Sequence, residues 1–480
     1  MSSDLARKRS EQIWRHVEAK RGPYIALSDA VWDTPELAYD EHRSVAAHIA
    51  ALEKEGFRVS RDVAGIETAV MGEAGEGGPV IAILGEYDAL PGLSQCAGHS
   101  EHQPVEPNGN GHGCGHNLLG AASMLAAAAV KDYIAANGIK ARVRYYGCPA
   151  EEGGAAKGFM VRAGAFADAD IAICWHPAAF SGVNEPISLA NTRIDFTFKG
   201  RAAHAAATPH LGRSALDAVE LMSVGVNYMR EHMPSDARIH YAYLDAGGIA
   251  PNVVQAKAKV RYLIRARDLV EMNALVERVK KIAQGAALMS ETEVSIRTIS
   301  AVSNLLGNTP LEQAMHEAFL RLGPPQFDDA DRAFAAEMQK SFKDDDIVAA
   351  YRRHGLPVVR GKTLCDLIVP LEAKGSGGVG STDVGDVSWV VPTVQARGAT
   401  YAIGTPGHSW QLTAQGKTPA AHKGLIHVAK VMADTAIAAI HDETLIARAK
   451  ADLKARTKDQ PYVCPLPKDV DPPKDMSLVA

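Results

Sequence analysis

Short, mostly apolar runs at residues 79–84, 141–146 and 169–175 alternate with segments of helical periodicity at 12–19 and 41–55. A brief apolar run without polar alternation reads as a strand buried on both faces. Such strands separated by helices predict an α/β layer architecture, a mixed sheet flanked by helices. Around Thr192 the texture changes. Residues 193–198 alternate like a half-exposed strand, 214–231 form an amphipathic helix, and 238–244 and 256–266 are strands. A helix at 269–288 and a strand at 292–299 complete a βαββαβ order, the split-βαβ or ferredoxin-like arrangement. Residues 192–303 are therefore expected to be an inserted lid and dimerisation domain. Residues 1–191 and 304–480 then form one discontinuous domain, with a polar surface helix and loops at 324–346, a strand within 390–403, a long helix at 423–440 and an irregular tail at 458–480.

A chain of 480 residues exceeds what one hydrophobic core of about 250–300 residues organises, which agrees with two domains. The net charge of -5 excludes a strongly basic nucleic-acid surface. Residues 1–14 are charged and polar, with no apolar stretch behind a basic start. Residues 118–130 are apolar but shorter than the ~20 residues of a membrane span, and read as a buried helix. The expectation is a soluble cytoplasmic protein without nucleic-acid or membrane partners. Six cysteines scattered over the chain follow no pairing pattern, so reduced thiols or metal ligation are expected.

Chemistry concentrates in segments that mostly follow strands, where open α/β sheets collect ligands. Gly113-Cys114-Gly115-His116 sets a thiol and an imidazole two residues apart on a pliable backbone, able to aim both at one ion. Glu151-Glu152 follows the strand at 142–146, and neighbouring side chains there diverge, so one carboxylate can bind metal while the other faces substrate. His176 ends the strand at 171–175, and His408 sits in a Gly- and Pro-shaped loop, Gly404-Thr405-Pro406-Gly407-His408. Taken singly these segments also read as a glycine turn, an acidic helix start, a structural histidine and a surface histidine. Together, one thiolate, one carboxylate and three imidazoles suit borderline divalent ions such as zinc or manganese. Glu86 and Asp88 end another strand and are placed to orient a ligand histidine.

The Asp-Ala-Leu-Pro, His-x-Cys-Gly-His, Pro-Ala-Glu-Glu-Gly and Gly-His-Ser segments occur in this order in the Cys-ligand branch of the metal-dependent aminoacylases and carboxypeptidases, which this chain resembles over most of its length. The resemblance implies two metal ions per subunit, Mn²⁺ or Zn²⁺, held by Cys114, His116, Glu152, His176 and His408, with the Cys114 thiolate as bridge. Glu151 becomes the general acid/base and Asp88 a supporting catalytic group. His204, in Gly200-Arg201-Ala202-Ala203-His204, resembles a histidine that reaches into a partner subunit's site. Asn252 and Arg265 fall near the substrate-contacting asparagine and carboxylate-binding arginine. Asn117 and Glu86 stand where many members carry aspartate, and one subgroup shares the asparagine.

The implied reaction is hydrolysis of the amide bond of an N-acyl, above all an aroyl, amino acid such as p-aminobenzoyl-glutamate, by metal-activated water. The implied assembly is a homodimer, or a heterodimer with a related subunit. Two other readings stay open: an aminohydrolase releasing ammonia from an aromatic amine, and a non-catalytic partner subunit of a hydrolase.

Overall fold

The computed structural model describes residues 3–376 and 380–476. Helices α1 (Ser3–Trp32) and α2 (His42–Lys54) precede strands β1 (Arg58–Arg61), β2 (Val70–Gly75) and β3 (Val80–Glu86). Helix α3 (His116–Ala136), β4 (Arg142–Cys148), α4 (Ala156–Arg162), β5 (Ile171–Ala178) and the two-residue β6 (Gly182–Val183) follow. The chain then builds β7 (Ala190–Lys199), α5 (Ala215–Met229), β8 (Arg238–Asp245), β9 (Lys257–Ala266), α6 (Leu269–Ser290) and β10 (Glu293–Val302). It returns through α7 (Thr309–Leu322), α8 (Asp329–Gln339), α9 (Asp344–Arg353), α10 (Val384–Val390), β11 (Thr393–Ala399), α11 (Trp410–Gln415), α12 (Pro419–His441) and α13 (Glu443–Arg456).

The first sheet runs β1-β2-β4-β3-β5-β11-β6. Its centre, β4-β3-β5-β11, is parallel, and the flanking pairs are antiparallel. Every residue of β3 is buried, which explains its unbroken apolar text. The four parallel strands deliver their carboxyl ends to one edge, and the loops of the site rise from there.

Ala-rich α3 is buried along almost its whole length against α1 and α12. Both α3 and α12 are long and apolar enough to cross a bilayer by length and composition, yet 83% of each such stretch is buried inside the fold. The apolar run at 118–130 thus belongs to a 21-residue helix, and its burial rather than its length marks it as a core helix.

The second sheet has the order β10-β7-β9-β8, antiparallel throughout, the strand order of a ferredoxin-like βαββαβ unit. Strand β9 alternates buried and less buried positions along its length. Val260, Tyr262 and Ile264 pack with Phe196 and Phe198 beneath α5 and α6 in a hydrophobic cluster of their own. The opposite face carries Arg193, Arg261 and Leu263 towards the loops of the first sheet. Two expectations are refined. Residues 324–346 carry α8 and the start of α9 rather than one surface helix. The strand expected within 390–403 occupies only 393–399, behind the short helix α10. Of the tail at 458–480, residues 477–480 lie outside the described residues.

Candidate metal centre and active site

Each donor is aimed by local backbone chemistry. Gly115, the residue before α3, has φ +80°, a left-handed turn that lets Cys114 and His116 converge without a Cβ penalty. Ala150, Ala155 and His408 also adopt positive φ (54°, 57° and 50°), conformations that cost non-glycine residues energy and gather at functional sites. Gly153, at φ +100°, meets the lid: a Cβ there would lie 2.4 Å from the Arg193 guanidinium. The Gly153 carbonyl accepts from Arg193 Nη1 (3.3 Å) and Ser300 Oγ (2.7 Å), so strands β7 and β10 hold the loop that bears Glu151 and Glu152.

The five sequence-derived ligands come together in two triads that share one atom. Donor atoms of Cys114, His116 and His176 lie within 4.8 Å of one another, and so do those of Cys114, Glu152 and His408. Cys114 Sγ stands 3.3 Å from His176 Nε2, and His408 Nε2 is 3.4 Å from Glu152 Oε1. Such gaps are what bonds of ~2.0–2.3 Å to a common ion at near-tetrahedral angles produce. His116 Nε2 and Glu152 Oε1 are buried and have no hydrogen-bond partner. A buried polar atom left unpaired is costly, and a cation between them removes that cost. The residues fit a pair of divalent ions.

The proton balance agrees. Burial opposes a charged His116, but the Cys114 and Asp88 anions outweigh it and lift its pKa well above the usual histidine range. Hydrogen bonds to Cys114 and Glu152 push His408 up to about 10. Protons here occupy positions where the surplus of negative donors would otherwise hold metal. His176 differs: burial, then Arg397, keeps it neutral, and its Nδ1 donates to the Pro177 carbonyl (2.9 Å), which leaves Nε2 facing Cys114.

A ring of supporting carboxylates surrounds the donors. Asp88 Oδ1 accepts from His116 Nδ1 (2.8 Å), and Asp88 Oδ2 accepts from the Glu152 backbone N–H (2.8 Å). One carboxylate therefore orients two ligands. Glu86 Oε2 lies 3.3 Å from His116 Nε2, while its other oxygen is bound by the buried Lys157 ammonium at 2.6 Å. Lys157 also pairs with Asp383 at 2.6 Å. Glu151 joins Glu86 and His116 within 4.8 Å, and burial, then Glu86 and Glu152, raise its pKa well above the usual carboxylate range. Asn117 bonds Ser28 Oγ and the Gly416 carbonyl (3.0 Å each), tying α1 and the segment after α11 to α3.

The lid residues stand apart from this cluster. His204 is exposed, and its Nδ1 accepts from the Ala206 and Ala207 N–H groups at 3.2 Å. Asn252 is exposed on the facing loop, where its carbonyl accepts from Ala205 N–H at 3.0 Å. Arg265 lies on β9 with a buried Nε that has no partner. A cavity of about 490 Å³ opens between Glu152, Ala89, Leu90 and Pro91 on one side and Arg193, Tyr241, Arg261 and Leu263 on the other. Sequence reading missed Lys157, Asp383, Arg193 and Ser300. The signal available was a lysine inside the otherwise apolar opening of α4. All six cysteines are free thiols.

The model of peptidase family M20/M25/M40 matches residues 82–354, more than half of the chain. The chain is a member of that family. Across nearly its full length this M20 chain is 46% identical to one of the two kinds of subunit of the p-aminobenzoyl-glutamate hydrolase of Escherichia coli, over 96% of this chain and 99% of that one. Among solved structures, an aminobenzoyl-glutamate utilization protein from Klebsiella pneumoniae shares the fold at TM-score 0.60 and 17% identity, covering 88% of this chain and 98% of the other. A dinuclear metal binding M20 peptidase of Bacillus subtilis does so at TM-score 0.56 and 19% identity, over 88% and 99%.

Proposed function

We propose that this protein is a two-metal amidohydrolase that cleaves the amide bond of an N-acyl, above all an aroyl, amino acid, with p-aminobenzoyl-glutamate as the leading substrate. The observation that carries the reading is the pair of donor triads sharing Cys114, with Glu151 beside them. Similarity to a p-aminobenzoyl-glutamate hydrolase over the whole chain supports the substrate class. Bound Mn²⁺ or Zn²⁺ ions would activate water and polarise the scissile carbonyl.

Cys114, His116, Glu152, His176 and His408 hold the ions in this reading, and Asp88 keeps His116 and Glu152 aimed. Glu151 takes the proton of the attacking water and returns it to the leaving nitrogen. Its environment favours the protonated form, which suits a group that must also act as an acid. Residues 192–303 act as a lid that closes over the site and excludes water. His204, delivered by lid closure or by a partner in a dimer, donates to the developing oxyanion, while Asn252 and Arg265 contact substrate. The partner is a second copy or a related subunit, and the cytoplasm is the working compartment.

Purified protein loaded with Mn²⁺ or Zn²⁺ and given an aroyl-amino-acid panel is the test. The expected products are the free aromatic acid and the amino acid. Ammonia release with the amide intact would move the assignment to an aminohydrolase. Turnover appearing only after a related chain is added would mark a non-catalytic partner.

A further inference from the structure

A second cavity, of about 190 Å³, opens where β5 and β11 end, lined by Arg353, His354, Arg397, Tyr401, Asp346 and Thr405 among others. It adjoins the donor cluster. Arg397 is the register partner of His176 on the neighbouring parallel strand, so both side chains leave the sheet on the same side. Tyr401 Oη donates to the carbonyl of Pro177, the residue after His176, at 3.3 Å, and the wall at Thr405 and Pro406 leads directly into the loop of His408.

The charge of this cavity is unusual. Arg397 Nε donates to the neutral Asn184 Oδ1 at 2.7 Å, and among the described residues neither Arg397 nor Arg353 has a carboxylate ion-pair partner. The two guanidinium groups repel each other: burial, then Arg353, brings the Arg397 pKa down to about 10. His354 adds no charge, because burial followed by the two arginines takes its pKa down to about 3. The one acid in the lining, Asp346, accepts from the Lys343 backbone N–H at 2.9 Å as part of the start of α9. Two cations facing an enclosed space without a counter-charge are held against their own repulsion. An anion that accepts from both resolves it, and arginine matches the two oxygens of a carboxylate. The 490 Å³ cavity on the Glu152 side, lined by Leu37, Leu90, Tyr241 and Leu263, offers more room and a more apolar wall.

We propose that Arg397 and Arg353 form a carboxylate pocket that receives the acidic side chain of the substrate's amino-acid half, while the larger cavity takes the aryl group. This rests on the amidohydrolase reading above and makes the enzyme selective for acidic over neutral amino acids.

The test separates binding from turnover. Binding of glutarate, and of p-aminobenzoyl-glutamate against its alanine analogue, is measured by titration calorimetry on metal-loaded wild type, Arg397→Met, Arg353→Met and Arg397→Lys. The glutamate-to-alanine ratio of kcat/KM is measured on the same proteins. Loss of a charge-assisted hydrogen bond predicts that glutarate affinity and the ratio each fall on the order of 10–100-fold in the methionine variants. Arg397→Lys should recover part of both. Arg353 is exposed on α9, so its variant stays informative if Arg397→Met fails to fold. Unchanged glutarate affinity in Arg353→Met, or no glutarate binding to wild type, overturns the pocket. Failure of the amidohydrolase reading looks different: wild type binds glutarate but hydrolyses no aroyl-amino acid.

Discussion

The donor cluster and the lid face above it treat polar groups in opposite ways. In the cluster the ligands are held by fixed partners: Asp88 grips His116 and the Glu152 backbone, and Lys157 grips Glu86 between buried walls. On the lid, His204 and Asn252 are exposed, and their contacts serve only their own loops. The difference teaches where preorganisation comes from. Groups that must share an ion are set in place by the core itself, at the cost of burying charge. Groups that meet only substrate can wait in solvent until a closing lid or a second copy carries them in.

The largest effect expected lies within the cluster. Glu151→Gln should keep the metal and lose ~10²–10⁴ in rate, since the amide keeps the shape but takes no proton. Glu152→Gln should lose metal first. Metal analysis of both variants beside their rates checks this, and a metal-free Glu151→Gln would reverse the two roles.

Lys157→Met probes the cost of buried charge. It strands Glu86 and Asp383 without their cation, and breaking a buried pair costs about 3–5 kcal/mol. Denaturant unfolding should show that loss. A change under about 1 kcal/mol would mean that the two acids are neutral in the fold.

His204→Ala tests the other half of the comparison. A rate loss of ~10²–10³ with metal content and stability unchanged is expected for an oxyanion donor. Mixing His204→Ala chains with Glu151→Gln chains should restore activity if the histidine acts across a dimer. No recovery in a verified mixed dimer would confine it to its own chain.

The smallest effect is expected at Asp88. Asp88→Asn keeps an acceptor for His116 but removes the charge, and metal affinity should fall about 10–100-fold. Competition with a chelator measures it. An unchanged affinity would show that hydrogen bonding alone aims His116.

Much of this was legible along the chain because it is local. Apolar runs marked β3, β4 and β5, since a strand buried on both faces leaves no polar alternation. The βαββαβ order announced the second sheet, and Cys114, His116, Glu151, Glu152, His176 and His408 lie in short segments whose residue types are chemical statements by themselves. The structure alone decided what depends on approach between distant segments. Cys114 belongs to both donor triads because three strand ends and a loop some 290 residues later in the chain meet at one edge. Lys157 carries a buried charge only because β3 and the start of α10 close around it, and Arg397 faces Arg353 only because α9 folds back beside β11. Periodicity reports which face of an element is buried. It says nothing of which charges from remote segments will share that burial, and the electrostatics of this site are set there.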